Sequence, residues 1–95
     1  MRGMQNLDIL NEVIRIAGGQ TELARRLGIK QANVWNWINR ARGVIPPDQV
    51  IPVARAIDWQ KTPHEIDPDL YPNPTDGLPV EVLVRRQMML TAAAA

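Results

Sequence analysis

The chain has 95 residues, a net charge of +1 and a hydrophobic share of 45%, ordinary for a globular protein. This length allows one small domain with a tail, and the lack of cysteine excludes a disulfide framework and a thiolate metal site. No apolar run approaches the roughly 20 residues of a membrane span, and Met1-Arg-Gly-Met-Gln-Asn6 lacks the apolar block of a signal peptide, so the expected setting is the cytoplasm.

In chain order, Asn6 is placed to cap a first helix running to about Ala17, with Leu7, Leu10, Val13, Ile14 and Ala17 as its apolar stripe. Gly18-Gly19 ends it. A second helix starts at Gln20 or Thr21 and buries Leu23, Ala24 and Leu27. Gly28 lies just past its end, where a left-handed backbone costs glycine little. A third helix spans about Gln31 to Arg40 and turns Val34, Trp37 and Ile38 inward. Arg40 to Ile45 reads as a loop. Pro46-Pro47-Asp48 opens a fourth helix to about Ile57, with Val50, Val53, Ala54 and Ile57 as its core stripe. Pro52 is tolerated if that helix begins close to residue 49. Thr62-Pro63-His64-Glu65 is a capping box that opens a very short fifth helix. The segment from Asp67 to Pro79 holds Pro68, Pro72, Pro74, Gly77 and Pro79 and reads as an extended arm. Pro79 to Thr91 is helical in pattern, with Val80, Leu83, Val84 and Met88 on one face. That face either folds back on the core, meets a second copy of itself, or stays disordered. The expected fold is all-α: five helices within 1–72, then a linker and helical tail over 73–95.

Charge is unevenly spread. Residues 1–43 hold seven basic and three acidic groups, whereas residues 44–95 hold four basic and seven acidic ones. The positive half coincides with the second and third helices, and basic surface attracts phosphate by releasing counterions. Ala24 is small where two helices must cross, Gly28 makes the turn, and Val34 and Trp37 anchor the later helix. Its other face carries Lys30, Gln31, Asn33 and Asn36. Gln and Asn can pair bidentately with adenine, and Lys favours guanine acceptors. This is the layout of a helix-turn-helix that lies in a DNA major groove. His64, the single histidine, sits in a cap, and Asp67 and Asp69 flank a proline with no third ligand nearby. No catalytic centre, metal or cofactor is expected.

Gln20, Ala24, Gly28, Val34 and Trp37 fall at the spacing of the lambda-repressor-like helix-turn-helix, which the chain resembles. The likeness is closer to the Cro/YdaS subgroup of prophage regulators, also described as YdaS antitoxin-like. It rests on Gly18-Gly-Gln-Thr21, Trp37, Ile45-Pro-Pro47 and Asp67-Pro-Asp-Leu-Tyr-Pro72, and covers about residues 7–72. The resemblance implies a Cro-like repressor of a prophage or toxin–antitoxin operon that binds a double-stranded operator as a homodimer or higher oligomer. Lys30, Gln31, Ala32, Asn33 and Asn36 are then the base-contacting candidates. Gln20, Thr21, Trp35, Arg40 and Arg42 are the phosphate-contacting ones. Trp35 departs from the small polar residue usual in the subgroup. The alternative is an antitoxin that neutralises a cognate toxin through its C-terminal tail.

Overall fold

The computed structural model describes the backbone of residues 2–94 and the side chains of residues 6–89. Within them the chain is all-α: α1 (Arg2–Ala17), α2 (Gln20–Leu27), α3 (Gln31–Asn39), α4 (Val50–Ala56), α5 (Pro63–Ile66) and α6 (Val80–Ala94). α1 starts five residues earlier than expected, so Asn6 lies inside it and caps nothing. No proline stands between Arg2 and Asn6, and each residue added to an existing helix gains a backbone hydrogen bond.

The early helices end on glycines with positive φ. At the end of α1, Gly18 has φ +102°, and the Gly19 amide donates to Ile14 O at 2.9 Å. At the end of α2, Gly28 has φ +70°, and the Ile29 amide donates to Ala24 O at 3.0 Å. Both arrangements satisfy carbonyls that the helix leaves open. α4 is shorter than expected. Pro47–Gln49 form a 3-10 turn, and the α-helix proper runs only from Val50 to Ala56. Pro52 therefore falls in the first turn, where a missing amide proton costs least. The Thr62 cap forms as its sequence implies. The Glu65 amide donates to Thr62 Oγ1 and the Thr62 amide to Glu65 Oε1, both at 3.2 Å, which leaves the buried Thr62 hydroxyl satisfied.

One core joins α1 through α5. Leu10, Val13 and Ala17 of α1 meet Leu23 and Ala24 of α2, Val34 and Trp37 of α3, and Val50, Val53 and Ala54 of α4, with Ile57 just past it. Ile14, Leu27 and Ile38, also expected to face inward, are half-buried at its edge, and Leu7 is half-buried. Ile45 and Ile66, which lie outside the periodic stripes, are buried as well. Trp59 lies partly buried against this cluster, as does Tyr71.

The segment expected as an extended arm is a chain of turns folded onto α5. His64 Nδ1 donates to Tyr71 O at 2.8 Å, and the Leu70 amide donates to Asp67 Oδ1 at 3.2 Å. The Asn73 amide bonds Asp76 Oδ2 at 3.0 Å. A Cβ on Gly77 would stand 3.0 Å from Pro63 Cγ, so the chain passes directly over α5. The prolines exclude helix and strand, and aspartate side chains supply the hydrogen bonds that regular structure would have made.

α6 docks by a residue outside the expected stripe. Val82 is buried at 4% exposure, whereas Val80, Val84 and Met88 are 72%, 52% and 67% exposed. On an α-helix Val82 lies roughly 160° around from Val84, so the stripe of Val80, Val84 and Met88 points away from the domain. Leu83, the fourth member, is half-buried. Arg85 Nη2 stands 3.5 Å from Asp58 Oδ1 and ties the first turns of α6 to the end of α4.

Candidate functional site

α2, the turn at Gly28 and α3 form the unit on which the sequence places the chemistry. Val34 is fully buried and Trp37 is 7% exposed, so α3 is held by residues three apart on one face. Ala24 lies buried under the crossing and lets the two helices approach closely. The opposite side of α3 is open. Lys30, Gln31, Ala32, Asn33 and Trp35 are exposed, and Asn36 is half-buried. By helical phase Ala32 and Asn36 sit at the centre of the outward face, with Trp35 on one flank and Asn33 on the other.

Two pairings go beyond what spacing shows. Gln31 Nε2 donates to Gln20 Oε1 at 2.8 Å, which locks the start of α3 to the start of α2. Gln31 keeps one N–H and its carbonyl oxygen, the donor and acceptor that an adenine edge requires, while Gln20 keeps its amide hydrogens. The second involves Asn39, which no spacing pattern singles out. Its Nδ2 donates to Trp35 O at 3.0 Å, turning the side chain back onto its own helix beside Trp35. Thr21 is exposed and Gln20 half-buried at the start of α2.

Arg40 and Arg42 are exposed in the loop after α3, and the geometry of this loop rests on Gly43. Arg42 has φ +51° and Gly43 φ +89°. The Gly43 amide donates to Trp37 O at 2.6 Å. A Cβ at this position would stand 2.5 Å from Leu7 Cα and 2.6 Å from the carbonyl carbon of Asn6. The loop is thus pressed against the α1 backbone, and this holds the two arginines beside the end of α3. The sequence does not disclose this role, because nothing local to residue 43 reports on residues 6 and 7.

The remaining cations of this half divide. Glu22 accepts from Arg25 Nη2 at 2.5 Å and from Arg26 Nε at 3.1 Å. Arg26 also reaches across to Ala56 O at 2.9 Å, so it braces α2 against the end of α4. Arg25 stays mostly in solvent. Arg15 is paired with Glu12. The hydrogen bonds from Arg25, then Arg26, pull the Glu22 carboxyl down from 4.5 to about 2. A carboxylate held low contributes stability that is fully present above pH 4.5 and disappears as pH falls through about 2. The expected result is a melting temperature that falls across that window in the native chain, and falls less in Glu22→Gln. Melts between about pH 5 and 2 check this. The effect is small because the pair faces water.

Together these elements define a small all-α protein built around two short helices that meet at a glycine turn. The chain belongs to the family described as bacterial toxin YdaS, whose model matches residues 10–75. The match takes in α2 to α5 and the segment folded on α5 as far as residue 75, and leaves α6 outside. Neither a curated protein nor a solved structure matches the chain.

Proposed function

We propose that the protein is a sequence-specific DNA-binding regulator of the Cro type, serving a prophage or toxin–antitoxin operon, with α3 as its recognition helix. The observation that carries this reading is the two-sided character of α3. Val34 and Trp37 fix one side rigidly in the core, while Asn33 and Asn36 offer amide groups on the other and Gln31 stands exposed at the first residue of the helix. Any amphipathic helix is anchored in this way; what suits α3 to a groove is that the anchoring holds exposed amides in register with base edges. The Gln20–Gln31 bond preorders the first of those side chains. Lys30, Gln31, Ala32, Asn33 and Asn36 face bases. Gln20, Thr21, Trp35, Arg40 and Arg42 approach the sugar–phosphate backbone. A homodimer or higher oligomer presents two recognition helices to successive major grooves and excludes polymerase from an overlapping promoter. In this reading the protein works in the cytoplasm, on the nucleoid, and is not an enzyme.

The test is a titration on DNA upstream of its own gene against random duplex. Gln31→Ala with Asn36→Ala should cut discrimination by about tenfold to a hundredfold for each bidentate pair removed. Arg40→Ala with Arg42→Ala should weaken both DNAs alike and reduce the salt slope by about one for each phosphate no longer neutralised. Unchanged discrimination in the first variant would show that α3 does not read bases.

The description of the family as a toxin links it to toxin–antitoxin pairs, and the second reading is an antitoxin that neutralises a cognate toxin through its C-terminal tail, whose helix α6 lies outside the matched residues. Removing residues 75–95 separates the two. The regulator loses affinity for DNA but keeps its preference, whereas the partner-holding protein keeps its DNA behaviour and loses only the partner.

A further inference from the structure

The stripe of Val80, Val84 and Met88 on α6 remains open after Val82 has docked the helix, and it has an occupant that its own pattern describes. We infer that it is a self-pairing surface, on which α6 of a second copy lies antiparallel about a twofold axis at Val84. Two observations carry this. The spacing is self-matching: with Val84 opposite Val84, each Val80 faces the other copy's Met88, so a small side chain always meets a large one. The flank is also charge-balanced. Glu81 and Arg85 lie on the same side of the stripe, and an antiparallel pair aligns them as Glu–Arg–Arg–Glu along one edge, a carboxylate beside each guanidinium.

The seam is short. It falls below the roughly 800 Å² per partner of a standard stable interface, so the pairing is concentration-dependent in solution and becomes effective when both copies are held on one duplex. In its purpose, though not in its existence, this pairing rests on the regulator reading, since it would supply the second recognition helix.

Sedimentation of the full chain without DNA tests it. The native chain should shift from monomer to dimer as concentration rises through the high micromolar range. Val84→Glu should weaken that association at least tenfold, with an unchanged melting temperature because Val84 is exposed. The chain has no cysteine, so Val84→Cys should cross-link to a dimer under mild oxidation while Asn11→Cys, exposed on α1, does not. A native chain that stays monomeric throughout, a Val84→Glu variant that dimerises normally, or equal cross-linking of the two cysteine variants overturns the inference and leaves this face to a different protein. DNA titration of Val84→Glu keeps the two proposals apart. Weaker binding with sequence preference retained is the result expected when pairing is abolished. If preference proves independent of Gln31 and Asn36 while sedimentation behaves as described, the regulator reading fails and the pairing stands.

Discussion

Gly43→Ala is expected to destabilise the fold by about 2–4 kcal/mol, the sum of left-handed strain on a non-glycine residue and of overpacking against a backbone that cannot give locally. Its methyl would lie 2.5 Å from Leu7 Cα and N, so either the start of α1 or the loop after α3 must move. Gly28→Ala is the control. Gly28 also has positive φ, but a Cβ there meets nothing within 4 Å, so that variant bears only the backbone cost of about 1–2 kcal/mol. Denaturant unfolding of both variants checks the order. A Gly43 variant no weaker than the Gly28 one would mean that the loop is not pressed on α1. The functional consequence is separate. In the regulator reading the same loop carries Arg40 and Arg42 to phosphate, so the folded fraction of Gly43→Ala should bind all DNA more weakly with little change in sequence preference.

These two glycines also show where a sequence stops reporting on its fold. Gly28 is legible because its neighbours within the same motif report on it: apolar residues before and after at helical spacing, and a helix that must end. Gly43 is not, because its constraint comes from Asn6 and Leu7, far back along the chain. The same division holds elsewhere. Val50, Val53, Ala54 and Ile57 recur at one-turn spacing, and all four are buried as the spacing implies. The Thr62–Glu65 box is entirely local and forms as its residues dictate. The segment from Asp67 to Pro79 looks like an arm because proline content excludes regular structure without saying whether the chain docks. The bond from His64 to Tyr71 O spans a turn that composition does not contain. In the tail, phase misleads. Val80, Leu83, Val84 and Met88 form the more hydrophobic face, yet the domain takes Val82, with Arg85 reaching Asp58 beside it. At the candidate site the exposed amides of α3 are legible from spacing. The Gln20–Gln31 bond is not, since it needs the crossing geometry of two helices.

The two tryptophans of α3 are expected to separate fold from recognition. Trp37→Ala should cost about 3–5 kcal/mol, as large-to-small replacement of a buried aromatic does. A small domain holds only about 5–15 kcal/mol in total, so this variant is left marginal or unfolded at about 37 °C. Trp35 stands two positions away, which turns it roughly 160° from Trp37, and it is 46% exposed. Trp35→Ala should therefore change stability by no more than about 0.5 kcal/mol. In the regulator reading its removal deletes a contact to the sugar–phosphate backbone and lowers affinity for every duplex by a similar factor. Melting temperature and DNA titration, run on both variants, give four results that the geometry orders in advance. Trp37→Ala loses the fold and with it all binding, while Trp35→Ala keeps the fold and binds more weakly with its preference intact. If Trp35→Ala changes which sequence is preferred, its indole reads a base edge, such as a thymine methyl, and the reading face of α3 extends toward Asn39. If it changes neither stability nor binding, α3 meets DNA with the Asn33 side turned inward and Trp35 left in solvent.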